Sequence, residues 1–230
     1  MADNSLIGSS GERKYIYSLF SEVFARKPER DLLNRLRGKG VLEFLGEFCD
    51  CAKTARALGL EIEDCLEHDK KMEEAGESYE GLFVIPVTDN YIPPVASAFA
   101  NRGGNGKAKG AFSTTAEEIS AIYELHGVSF LGSNEKNIFV FHPDHVATLF
   151  AFMAFLIGLE DDCKDDGDAL KEITGEERFF FKNYIENWTF VFLDEIIARG
   201  SVFYVMVANI AKSFLAREMS FFPPFRKDAK

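Results

Sequence analysis

An all-helical chain is predicted by three features of the sequence. Apolar residues recur at helical spacing in one segment after another, the segments open on capping signals and close on glycine or proline, and no stretch carries the alternation of a half-buried strand. At 230 residues and 47% hydrophobic, the chain can bury one substantial core, or a main core with a smaller helical lobe.

Ser9 and Glu12 have the spacing of a capping box, and Ile16, Leu19, Phe20, Val23 and Phe24 then fall on one stripe that ends before Pro28. A short helix is predicted from Asp31 to Arg37, stopped by Gly38 and Gly40, and another from Val41 to Leu58 through Phe44, Leu45, Phe48 and Ala52. Ile62, Leu66, Ala75, Tyr79, Leu82 and Phe83 mark a further helix with an acidic outer face, ending near Pro86. Pro86, Pro93 and Pro94 make 84–98 an extended, ordered loop, because each removes a donor and fixes a backbone angle.

The run 101–110, NRGGNGKAKG, has the composition of a flexible linker. The expected organisation is an N-terminal helical lobe over 1–100, a linker or hinge over 101–112 and a C-terminal helical lobe over 113–230, with one continuous domain as the alternative.

Beyond the linker, Thr115 and Glu118 form a second capping box leading through Ile119, Ile122 and Tyr123 to Gly127. The IFVF within 130–141 has the pattern of a short extended piece. Pro143 is placed in the first turn of the next helix, with Asp144 as an N-terminal cap, and the apolar run from Val146 to Leu159 follows. Thr174 and Glu177 predict the capped start of a long helix through Phe181, Tyr184, Ile185, Trp188, Phe192 and Ile196. Gly200 and Ser201 separate it from a last helix carrying Phe203, Val207, Ile210 and Phe214.

Composition narrows the function. The net charge of −11 argues against nucleic acid and anionic lipid surfaces, which repel an acidic protein, and favours a basic peptide. The acidity is concentrated: nine carboxylates lie in 61–80 and nine in 160–177, runs that ordinarily form solvated helix faces. Val146 to Leu159 spans 14 residues, short of the roughly 20 needed to cross a bilayer, so no stable membrane insertion is expected. Cys49, Cys51, Cys65 and Cys163, with no secretion signal pattern, point to a reducing cytoplasm.

Candidate chemistry is sparse. Cys49 and Cys51 lack a second cysteine pair or a nearby histidine to close a zinc site. The glycine-rich stretch lacks the glycine and hydroxyl that a phosphate-binding loop needs at Asn101 and Ala108. His142, Asp144 and His145 could bind a metal or move protons, but the histidines are three residues apart across a proline with no third ligand. No catalytic motif is present, so no enzyme, cofactor or metal is expected. The surplus of aromatic residues, with 23 Phe, 7 Tyr and one Trp, supplies a core and could also line a groove for an apolar peptide.

Tyr79-x-x-Leu82-Phe83-x-x-Pro86 is followed by Pro93 or Pro94 and Ser97, and Pro143-Asp144-His145 leads into Phe152-Met153-Ala154. Tyr123-x-x-x-Gly127 and the C-terminal Trp188, Phe203-Tyr204, Ala208 and Phe214-Leu215 complete the order. Taken in this order, the segments resemble the TorD/DmsD-like chaperones of molybdenum-containing reductases, the first being similar to that family's Y/W-x-x-LF…P…P…S stretch and the second to its PDH…EFMA helix. Leu149 and Ala151 stand where the family usually has two acidic residues, and Tyr184 and Phe190 replace a His and a Pro.

The resemblance implies an all-α helical bundle of the TorD-like type, two lobes joined by a hinge, as a monomer or a domain-swapped dimer. It implies a cytoplasmic chaperone that binds the twin-arginine signal peptide of a molybdopterin-containing oxidoreductase precursor and assists its maturation before export. Carried over residue by residue, the peptide site is Tyr79, Leu82, Phe83, Pro86 and Ser97 from the loop side, with Asp144 and His145 from the other lobe. The alternatives are a small metal- or nucleotide-dependent enzyme using Asp144 and His145, and a delta-like assembly subunit of a reductase complex.

Overall fold

The computed structural model describes residues 9–99, 116–128 and 142–222. The linker 101–110, Thr115 of the second capping box and the IFVF segment lie outside the described residues. Among the described residues the fold is all-α and contains no strand, only an isolated bridge between Val95 and His145.

The first helix, α1 (Ser10–Ala25), opens on the expected capping box: Ser9 N–H donates to Glu12 Oε2 at 2.6 Å and Glu12 N–H to Ser9 Oγ at 3.3 Å. Helix α2 (Arg30–Leu36) follows as predicted. The single helix expected from Val41 to Leu58 is instead two, α3 (Val41–Phe48) and α4 (Ala52–Glu67). Asp50 takes a left-handed φ of 50° between them, which reverses the chain and folds α4 back on α3. Gly46 allows the close approach, since a Cβ there would lie 3.0 Å from the Ala52 backbone.

The helix expected through Ile62 and Phe83 also breaks. Ile62 and Leu66 belong to α4, the chain turns extended at His68, and α5 (Asp69–Tyr79) begins anew. It ends in a wide π turn, Glu80–Val84, in which Ile85 N–H reaches back to the Glu80 carbonyl at 2.8 Å.

After a short 3₁₀ turn, Ala96–Ala98, come α6 (Ala116–Leu125) and α7 (Val146–Asp162). Helix α7 is apolar on every side and accordingly central, with Val146, Leu149, Phe150, Phe152, Met153 and Ile157 all buried. Helix α1 lies along it. The expected cap at Thr174 and Glu177 is not a helix start: α8 (Gly167–Phe180) is already capped by Asp166, whose side chain accepts from Asp168 and Ala169 N–H. Thr174 instead donates to the Leu170 carbonyl, one turn back in the same helix. A π turn, Phe181–Ile185, leads into α9 (Glu186–Arg199), and α10 (Val202–Phe221) closes the bundle against α9, α4 and α3.

One aromatic core results. Tyr17 of α1 meets Phe150 of α7 and Phe214 of α10 at ring-centroid distances of 5.7 and 4.8 Å, and Phe24 meets Phe192 of α9 at 5.7 Å. The core is therefore shared by helices on both sides of 101–112.

Candidate functional site

Of the residues singled out by sequence, Ser97, Asp144 and His145 meet at the junction between the proline-rich loop and the start of α7, while Tyr79, Leu82, Phe83 and Pro86 lie apart from it. Ala96 N–H donates to the Asp144 carbonyl at 3.0 Å and Val146 N–H to the Pro94 carbonyl at 2.9 Å. The prolines have no N–H to offer, so this short pairing of loop and helix entry satisfies the groups that remain. Asp144 carries the side-chain part of the clasp: its Oδ2 accepts from Ser97 N–H at 2.8 Å and its Oδ1 bonds His142 Nδ1. It is 0% exposed.

Asp144 is thus not the helix cap, and Pro143 is not in the first helical turn. Both precede α7, and His145 is its N-cap, its Nδ1 accepting from Ala147 N–H at 3.1 Å. Burial first, and the neighbouring His142 as well, hold the His145 imidazole down to about 4 against the opposing pull of Asp144, which keeps the ring neutral and able to accept. Tyr123 braces the same turn from α6, its hydroxyl donating to the Pro143 carbonyl at 2.8 Å.

On the loop side, Tyr79, Leu82 and Phe83 are only 4%, 2% and 4% exposed. Phe83 packs against Phe24, Phe192 and Tyr204 at 6.1, 5.9 and 5.3 Å, and the Tyr79 hydroxyl donates to the Phe24 carbonyl at 3.4 Å. These three side chains hold the loop down. Pro86 and Ser97 are exposed, Ser97 meeting Asp144 through its backbone while Pro86 lies in the outward turn. The open apolar surface of the loop is Ile85 and Val87, with Val87 87% exposed.

A groove of about 600 Å³ runs between the α1–α2 connection and α5, ending at Glu80, the first residue of the π turn that leads to Ile85. It is lined by Pro28, Met72 and Gly76, by the carboxylates of Glu29, Asp69, Glu73, Glu77 and Glu80, and by Lys27 and Arg30. Lys27 reaches Glu80 at 3.6 Å and Arg30 reaches Asp69 at 2.6 Å, so the carboxylates outnumber the cations meeting them.

A second polar centre escaped the sequence reading. Arg13 of α1 is buried, with Nη1 2.9 Å from Glu160, Nη2 2.9 Å from Glu177, and Nε 3.0 Å from Glu218. Its guanidinium also lies 4.3 Å over the Phe221 ring. One cation thus faces three carboxylates, and burial raises Glu177 to about 9 despite Arg13, with the nearby Glu160 pushing the same way. The signal was present in phase: Arg13 precedes Tyr17, Glu177 precedes Phe181 and Glu218 follows Phe214 by one helical turn each, so all three charges lie on apolar stripes. The cluster pins α1, α7, α8 and α10 together.

Among the described residues no group of three or more His, Cys, Asp or Glu is arranged to hold a metal ion. No described helix is long and apolar enough to cross a membrane.

A family model described as nitrate reductase delta subunit matches residues 42–194, more than half of the chain. The match runs from α3 into α9 and includes the loop, the clasp and α7. No curated protein and no solved structure gives a significant match.

Proposed function

This chain belongs to the nitrate reductase delta subunit family of molybdoenzyme assembly chaperones, and we propose that it acts by binding the twin-arginine signal peptide of a molybdopterin-containing reductase precursor before export. The observation that carries the reading is the pairing of an exposed apolar turn, Ile85 to Val87, with the acidic groove along α5. A signal peptide offers the complement: arginines next to an apolar stretch. The turn takes the apolar stretch, and Glu73, Glu77 and Glu80 take the arginines through charge-assisted hydrogen bonds.

In this reading the seven residues carried over from the family resemblance divide their work. Pro86 lies on the contact surface. Tyr79, Leu82 and Phe83 support it from beneath, and Ser97, Asp144 and His145 clasp the loop to α7. Asp144, fully buried and engaged by Ser97 and His142, leaves the arginines to the α5 carboxylates.

Titration calorimetry with the leader peptide of a reductase precursor tests the reading. Binding is expected to weaken with added salt, with a twin-lysine leader and with Val87→Asp or Glu77→Lys, because screening and lost complementarity act on the same contacts. No binding tighter than ~50 µM, or equal affinity for both leaders, would overturn the peptide assignment. Stable co-purification with the mature reductase at fixed stoichiometry would favour a permanent subunit instead.

A further inference from the structure

We propose that Thr88 is a positioning residue for peptide recognition: its hydroxyl ties the exposed turn at Ile85 to Val87 back to the end of α5 and so fixes how Val87 is presented. The inference rests on the peptide-binding reading and deepens it, adding a residue that acts through Ile85 and Val87 without touching the peptide.

The need for such a tie follows from the chain around Pro86. In an α-helical register the Gly81 carbonyl would receive the Ile85 N–H, but the π turn gives that N–H to Glu80 at 2.8 Å. The residue that the π register would offer to Gly81 is Pro86, which has no N–H. The Leu82 carbonyl loses its α-register donor to the same proline. Two backbone acceptors where the helix gives way to the turn must therefore find partners further along the chain.

Both partners come from the loop. Ile92 N–H donates to the Leu82 carbonyl at 2.7 Å, and the Thr88 hydroxyl donates to the Gly81 carbonyl at 2.6 Å. A hydroxyl has one proton to give, and the nearer acceptor takes it ahead of the Ile85 carbonyl at 3.1 Å. Ile92 is itself a core residue, 0% exposed. The Thr88 bond belongs to a half-buried side chain, so it can be removed without disturbing backbone or core.

Thr88 also stands where two turns join. Its N–H donates to the Ile85 carbonyl at 3.3 Å, closing a β-turn with Pro86 and Val87 at the centre. Its carbonyl accepts from Tyr91 N–H at 3.1 Å, closing a second turn over Asp89 and Asn90. Proline suits the second position of the first turn because its φ is preset, and Val87 in the third is carried outward. Pinning Thr88 to Gly81 thus pins both turns at their shared corner. Arg199 holds the Tyr91 carbonyl at 3.4 Å, which steadies the far end of the second turn and leaves the first to Thr88.

An apolar residue on a loose turn populates shapes that do not fit the ligand, and apparent affinity falls with the fraction that does fit. A turn ordered in advance avoids that loss. The hydroxyl of Thr88 supplies the order.

The test compares the full-length parent with Thr88→Val, which keeps the branched shape and deletes the hydroxyl, and with Thr88→Ser, which keeps the hydroxyl. Titration calorimetry with the leader peptide of a reductase precursor is expected to show Thr88→Val binding about threefold to tenfold more weakly, the effect of one neutral hydrogen bond. Thr88→Ser should restore the affinity, and the denaturation midpoint should stay close to the parent's in both. In the peptide-free proteins, amide exchange at Ile85 and Thr88 should quicken in Thr88→Val alone, with Ile92 unchanged. Equal affinity of parent and Thr88→Val, or unchanged exchange at Ile85 and Thr88, would overturn the positioning role and leave the peptide reading standing. So would a loss that Thr88→Ser fails to recover, or one accompanied by a fall in midpoint as large as that of Phe83→Ala. A parent that binds no leader would remove the peptide reading, and this inference with it, whatever the exchange pattern.

Discussion

Arg13 on the first helix grips Glu218 on the last through two parallel hydrogen bonds, Nε to Oε1 and Nη2 to Oε2, each 3.0 Å long. The pair joins positions 205 residues apart in a site closed to solvent. A buried ion pair is expensive to form but more expensive to break, since removing one partner strands the other in a poor dielectric. Arg13→Ala leaves the Glu160 and Glu218 carboxylates without their cation and Glu177 without its donor, and an expected loss of about 3–5 kcal/mol follows. Urea denaturation checks it, and a loss below about 1 kcal/mol would show that the cluster behaves like a surface pair.

Glu177 gives this cluster a pH signature. Its folded value of about 9 lies above its ordinary 4.5, so between those limits the folded state holds a proton that the unfolded state has released. Its contribution is therefore full below pH 4.5 and is lost as pH rises toward 9, with a slope of roughly 1 kcal/mol per pH unit. Glu177→Gln, which is always neutral, is expected to flatten the decline and to be more stable than the parent at pH 9. Denaturation midpoints measured from pH 6 to 9, where the two proteins should diverge steadily, decide the matter.

His145 behaves in the opposite sense. Its folded value near 4 lies below the ordinary 6.5, so the unfolded state binds the extra proton and stability is lost as pH falls from 6.5 toward 4. The loss has a concrete cause, since protonated Nδ1 cannot accept from Ala147 N–H. His145→Asn keeps an acceptor that does not titrate and is expected to remove the acid loss, whereas His145→Ala should cost about 1 kcal/mol at neutral pH. An unchanged acid profile in His145→Asn would assign the loss elsewhere.

The clasp and its support can be separated by substitution. Asp144→Ala strands Ser97 N–H and should release the loop at a cost of about 1–3 kcal/mol, seen as faster amide exchange at Ser97. Phe83→Ala empties a core position and should cost about 3–5 kcal/mol, which makes it a stability variant more than a binding variant. Val87→Asp, on the exposed turn, should leave the denaturation midpoint unchanged while weakening peptide binding. A midpoint shift in Val87→Asp comparable to that of Phe83→Ala would mean that the loop surface is part of the core.

The helical fold, the capping box at Ser9, the loop that follows Phe83 and the central position of Val146–Leu159 were legible because local spacing alone sets them. A capping box closes within four residues, and a helix that is apolar on every face has nowhere to go but the interior. The family order of Tyr79, Leu82, Phe83, Pro86 and Ser97, then Asp144 and His145, was legible in the same way, as a string.

What those residues touch was decided only when distant segments met. In sequence Asp144 is the candidate cap, and the approach of Pro94, Val95 and Ser97 overturns it by drawing Asp144 to the loop and leaving His145 to cap α7. Thr174 and Glu177 spell a capping box, but Asp166 had already begun the helix, and Arg13 arriving from α1 gave Glu177 a buried role. Local patterns name the options open to a side chain. Tertiary packing chooses among them, because the energy of a buried charge or an unpaired N–H depends on partners that the neighbouring sequence does not contain.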